Sequence, residues 1–159
     1  MFGADEVEYE QAIAQLIQHH KLTIAVAESG VNGGAGHQLG SALAGGTHFV
    51  AAVTAHLPAA IEHLLAVPEG LITRYGIVSP EVVAAMARGV RQRNETDLGL
   101  AVAGAERLHG GDDTVAYVAL AYGNDAIRSH EYRRVSSMRF ARQRIGRASL
   151  QTIYDHLVA

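Results

Sequence analysis

The residues best equipped for chemistry lie in AESGVNGG, residues 27–34. A glutamate and a serine leave the apolar run LTIAVA there and enter a turn crowded with glycine. Seven glycines fall between Ser29 and Gly46, at positions 30, 33, 34, 36, 40, 45 and 46. Glycine tolerates positive φ and lets the backbone approach a ligand closely. A strand running through such a turn into a helix presents amide N–H groups and a positive dipole end, which suits an anion. A tight turn with no ligand explains the same glycines. Ser29 becomes a nucleophile only with a base beside it, because a free hydroxyl is barely ionised at neutral pH. As a simple cap of the following helix it needs none. By residue type the candidate bases are His37, His48, His56 and His63, and none has a diagnostic spacing. Glu28, at the end of the apolar run, either accepts hydrogen bonds from loop amides or orients a catalytic partner.

Other motifs are excluded at this loop. No GK[ST] follows, so it is not a Walker A loop, and GxGxxG is not met. Nor is it a GxSxG elbow, since Ala27 and Val31 stand two positions either side of the serine. A second glycine turn, GAERLHGGDDT from Gly104 to Thr114, also follows a β-like run. Two strand-end turns can face one crevice, where α/β sheets commonly bind ligands. His109, Asp112 and Asp113 admit a metal reading, but an exposed acidic turn explains them equally. No HExxH or comparable ligand spacing occurs, so neither a metal nor a cofactor is expected.

The elements that must position these residues are legible from periodicity. EVEYEQAIAQLIQHH after Asp5 keeps a helical rhythm over about 6–20. LTIAVAE is short and continuously apolar, as a buried strand is. HQLGSALA reads as a short helix, HFVAAVTA as a second strand ending near Ala55, and PAAIEHLLAV as a helix opened by Pro58. EGLITRYG is a helical turn closed by Gly76. SPEVVAAMARGVRQRN is the clearest helix, with Ser79 as N-cap and Pro80 in its first position. LGLAVAG, TVAYVALAY and AIRSHEYRRV are three β-like runs, the first two apolar enough to be central and the third alternating enough to be an edge. Helical spacing returns from Met138 to Leu157. This order predicts an α/β fold, a three-layer α/β/α sandwich about a mixed sheet, in one domain over residues 1–159.

Composition narrows the classes. The 159 residues are 48% hydrophobic and 18% charged, with no cysteine and a formal net charge of −3. Disulfides, thiolate nucleophiles and sulfur-ligated metals are thereby excluded. No apolar run approaches the roughly 18 residues that span a bilayer, so no membrane partner is expected. The acidic start MFGADEVEYE is unlike a secretory signal, which points to a cytoplasmic protein. The net charge offers no general attraction to nucleic acid. The one basic stretch, RSHEYRRVSSMRFARQRIGR, reads as a solvated face, or else as a patch for an anionic ligand or nucleic acid.

The order of pieces resembles the C-terminal domain family of the CinA (competence and damage-inducible) proteins, whose active members are nicotinamide mononucleotide deamidases. AESGVNGG stands where that family has AESCTGG. HLLAVPEGLITRYGIVSPEVVAAMARGV is similar to its LLGV, HGAVS and long-helix segment, LGLAVAGAERLHGG to its strand and GIAGPDGG loop, and DTVAYVALA to its GTVWIA strand. The likeness spans residues 6–157, and YGIVSPEVVAAMA is its most specific part. It implies that Ser29 matches the serine that attacks a carboxamide and releases ammonia. The assisting tyrosine and lysine of the family's YSNEAK fall on His56 and Ile61, and its asparagine on Pro58. The family's cysteine and threonine after the serine become Gly30 and Val31. Its second loop keeps Gly104, Ala105, Gly110 and Gly111, and its GDR keeps Arg139.

An isoleucine can neither accept the serine proton nor stabilise an oxyanion. The resemblance therefore implies a pseudoenzyme that keeps the scaffold and a pocket for a small anionic or nucleotide-like ligand. Glu28, Gly30, Gly33, Gly34, Gly104, Ala105, Gly110, Gly111 and Arg139 are its candidate contacts. Two alternatives stand beside it: an active amidohydrolase with a rewired Ser29 and His56 dyad, and a non-catalytic interaction protein. The resemblance also implies a homo-oligomer.

Overall fold

The computed structural model describes residues 2–30, 34–43, 46–106, 114–133 and 138–159, with side chains described for 9–30, 34–43, 46–104, 116–131 and 145–159. Its elements are α1 (Phe2–His19), β1 (Ile24–Ser29), α2 (Gly34–Ala42), β2 (Phe49–Thr54), α3 (Pro58–Leu65), α4 (Leu71–Tyr75), α5 (Pro80–Asn94), β3 (Leu98–Glu106), β4 (Thr114–Tyr122), β5 (Ala126–Arg133) and α6 (Met138–Val158). The five strands form one sheet in the order β2-β1-β3-β4-β5. β1 runs parallel to both β2 and β3, whereas β3–β4 and β4–β5 are antiparallel. The sheet is mixed, as the order of elements predicts, and β3 lies at its centre with the alternating β5 at an edge.

Alternation along each strand divides the core in two, because successive side chains point to opposite faces. Ile24, Val26, Leu98, Leu100, Val102, Val118 and Leu120 pack with Ile13, Ile17, Leu39 and Ile153 from α1, α2 and α6. Ala25, Ala27, Ala101, Ala103, Ala119 and Ala121 pack on the other face with Ile61, Leu65, Ile72, Val83, Met86 and Val90 from α3, α4 and α5. Helices thus cover both faces, which is the predicted three-layer arrangement.

Local signals place the elements that frame the site. Ser79 caps α5, its hydroxyl accepting the Val82 N–H at 3.3 Å and donating to the Gly76 carbonyl at 2.7 Å. Pro80 follows in the first turn, where its missing N–H costs nothing. Helix α1 opens at Phe2 rather than near residue 6, and α2 opens at Gly34 rather than at His37. The second difference has a physical cause that belongs to the site.

Candidate functional site

β1 delivers Glu28 and Ser29 at its C-terminal end, and both are buried, at 1% and 5% exposure. They point to opposite faces. Glu28 pairs across the sheet with Val102 and Thr54, and Val102 belongs to the bulky face. Ser29 pairs with Ala103, which belongs to the alanine face. Two adjacent polar residues therefore serve two different environments, and Glu28 is turned away from the Ser29 hydroxyl.

The Glu28 carboxylate meets the first turn of α2. The Ala35 N–H donates to Oε1 at 2.7 Å and the Gly36 N–H to Oε2 at 3.3 Å. The first N–H groups of a helix have no partner inside it, and the dipole there favours negative charge. A carboxylate six residues ahead of Gly34 supplies both needs, so the helix begins three residues earlier than apolar spacing alone suggests. Burial pushes the Glu28 carboxyl above its ordinary value, and the two backbone donors oppose that shift. A Cβ at position 36 would lie 3.2 Å from Glu28 Oε2 and 3.3 Å from the Ala52 methyl, so glycine suits the close seat.

Gly30 follows with φ +74°, a left-handed conformation that glycine adopts freely. A Cβ added there would overlap the carbonyl oxygen of Gly104. The two glycines singled out in separate loops thus press against each other, Gly30 just past the end of β1 and Gly104 inside β3, which runs on to Glu106 rather than turning at Gly104. Gly34 is the first residue of α2, and Ala105 lies in β3. Gly33, Gly110 and Gly111 lie outside the described residues, as does the turn carrying His109, Asp112 and Asp113. Arg139 belongs to α6 by its backbone, and its side chain lies outside the description.

His56 sits two residues past β2. β2 neighbours β1 in parallel register, Glu28 opposite Thr54, and the Ala55 N–H donates to the Glu28 carbonyl at 3.0 Å. Ser29 and His56 therefore leave the same edge of adjacent strands, Ser29 buried and His56 exposed. Among the described residues neither side chain has a hydrogen-bond partner. His37 and His63 are likewise exposed on α2 and α3. His48 is spent elsewhere, its Nδ1 lying 2.8 Å from the Leu22 carbonyl.

Ile61 is fully buried among Ala25, Ala27, Ala55 and Leu65, on the alanine face that Ser29 shares. Its surroundings are hydrocarbon. The residue that spacing and composition missed is Glu28's true partner: nothing in AESGVNGG says which amides its carboxylate will meet, although a glutamate ahead of a glycine-rich helix start was a usable signal. Among the described residues no helix is long and apolar enough to cross a membrane. No group of three or more His, Cys, Asp and Glu among them could hold a metal ion.

The profile described as the CinA C-terminal domain matches residues 6–158. A CinA-like protein of Syntrophus aciditrophicus is 34% identical over 165 residues, taking in 100% of this chain and 39% of that protein. A CinA-like protein of Parasynechococcus marenigrum is 38% identical over 112 residues, 70% of this chain and 27% of its own length. The chain thus spans about two fifths or less of these relatives. Among solved structures, the competence/damage inducible protein CihA of Agrobacterium tumefaciens superposes with a TM-score of 0.85 at 22% identity, over 98% of this chain and 96% of that one. A CinA superfamily protein of Klebsiella pneumoniae gives 0.85 at 18% identity, over 96% and 98%. At those identities the likeness is one of fold.

Proposed function

The chain belongs to the CinA C-terminal domain family, and from that membership we propose that it is a divergent member that has lost nicotinamide mononucleotide deamidase chemistry and kept the scaffold. One observation carries the proposal: Ile61, which the resemblance aligns with the family's lysine, is fully buried in the apolar cluster on the Ser29 face. A hydrocarbon there offers no proton acceptor to the serine and no charge to a developing oxyanion. Fold likeness does not carry activity across when the groups that perform it have changed.

Ammonium release from nicotinamide mononucleotide tests the loss directly. The expected result is no release above buffer, and turnover comparable with lysine-bearing relatives would sink the proposal. The same reading assigns the scaffold a small anionic or nucleotide-like ligand. Nicotinamide and nicotinate mononucleotides are expected to raise the melting temperature, and no shift with either would remove the ligand. Self-association belongs to this reading too, and a monomer throughout the micromolar range in sedimentation would remove it.

A second reading is favoured by one geometric fact, the shared strand edge from which Ser29 and His56 emerge. In that reading His56 takes the Ser29 proton and the serine attacks an amide carbonyl. Amide hydrolysis abolished by Ser29→Ala and by His56→Ala alike would establish it. Activity indifferent to His56→Ala would end it.

A further inference from the structure

Glu28 is the only charged side chain among the described residues that is buried, and neither proposed reading gives it a catalytic role. Alternation along β1 turns it away from Ser29, so it cannot be that serine's base. Both of its oxygens accept a backbone N–H, from Ala35 at 2.7 Å and Gly36 at 3.3 Å. Two N–H donors, one on each oxygen, favour the ionised form, against the burial that favours the neutral one. The seat is close on its other sides, since even a methyl group on Gly36 would crowd Oε2 and Ala52. Two of the amides with which a helix after a glycine turn would grip a phosphate, those of Ala35 and Gly36, are therefore already engaged by the chain itself.

We propose that Glu28 is the resident anion of the glycine loop: its carboxylate fills the amide pair of Ala35 and Gly36 and closes the start of α2 to phosphate and carboxylate ligands. A ligand of the pocket proposed above is then bound from the Ser29 face of the sheet. The inference rests on that reading only for this consequence, and its test does not involve ammonia release or nucleotide binding.

Amide resonances provide the measurement. In the wild-type protein, titration with inorganic phosphate at millimolar concentration is expected to leave the Ala35 and Gly36 amides unmoved. In Glu28→Ala, formate is expected to shift those two amides saturably and to raise the melting temperature, with chloride at equal ionic strength as control. Wild-type amides that follow phosphate would overturn the proposal, and so would a folded Glu28→Ala whose amides ignore formate. Glu28→Gln covers the case in which the alanine variant does not fold. Its carboxamide offers one acceptor and places an NH2 against the second donor, so one of the two amides should exchange with solvent about tenfold faster or more while the other stays protected. Unchanged exchange at both amides would overturn the proposal as well.

Discussion

Along β3 the side chains run Leu98, Gly99, Leu100, Ala101, Val102, Ala103, so one face of the sheet carries branched hydrocarbons and the other carries methyl groups or none. β1 and β4 repeat the pattern with Ile24 and Val26 against Ala25 and Ala27, and Val118 and Leu120 against Ala119 and Ala121. The spacing of packed helices follows the size of the side chains between them. On the alanine face α5 comes so near that a Cβ on Gly99 would overlap the Ala87 carbonyl, and one on Gly89 would overlap the Leu65 carbonyl of α3. On the bulky face the contacts are made by interlocking side chains, and α2 stands over the sheet end with its first turn tied to Glu28. The difference teaches where tolerance lies. One face resists added volume, the other resists removed volume, and Ser29 belongs to the face with no slack.

The sharpest way to break this comparison is Gly89→Ala. The new methyl group meets backbone rather than a movable side chain, so a loss of about 4 kcal/mol or more in urea unfolding is expected. A loss near zero would mean that α3 slides freely over α5. Opposite substitutions at neighbouring positions of β3 sharpen it. Leu100→Ala should cost about 2–5 kcal/mol by leaving a cavity. Ala101→Leu should cost about 1–3 kcal/mol by overpacking. Equal tolerance of added volume on both faces would erase the distinction.

Acid titration probes the polar seat on the bulky face. Burial raises the Glu28 carboxyl above its ordinary value of 4.5. Such a group favours the folded state fully below 4.5, and that contribution is lost as pH rises through the native value. The difference in stability between wild type and Glu28→Gln should therefore move in favour of wild type as pH falls toward 4.5 and level off below it. A difference independent of pH would show that burial does not govern this carboxyl. The smallest expected change is a gain. Gly40 lies inside α2 with only the Phe49 ring near its would-be Cβ, at 3.9 Å. Gly40→Ala should stabilise by about 0.5–1 kcal/mol through backbone entropy, and a measured loss would show that α2 has no more room than α5.

Legibility followed the range of the forces involved. Ser79 and Pro80 act within one turn of α5, and both their roles and the helix they open were readable in SPEVVAAMARGVRQRN. The charged alternation of AIRSHEYR marked β5 as an edge because an exposed strand face carries polar residues, and it lies at the edge. The start of α2 was not readable in the same way. Apolar spacing begins at His37, whereas the helix opens at Gly34 because a carboxylate on the preceding strand reaches back to its amides. The candidate site divides along the same line. Ser29, Glu28 and Gly30 were visible as residue types at a strand end, but their partners were not.

The residue order by itself determined the alternation of large and small side chains along each strand, and with it the two unlike faces and the opposed directions of Glu28 and Ser29. Period-two alternation is a local property of an extended chain, so no partner is needed to read it. Tertiary structure alone decided that Glu28 would meet Ala35 and Gly36, that Gly30 would rest against Gly104, and that Ile61 would be sealed on the Ser29 face. Each of these depends on strand register and helix placement, which arise from packing the whole sheet at once.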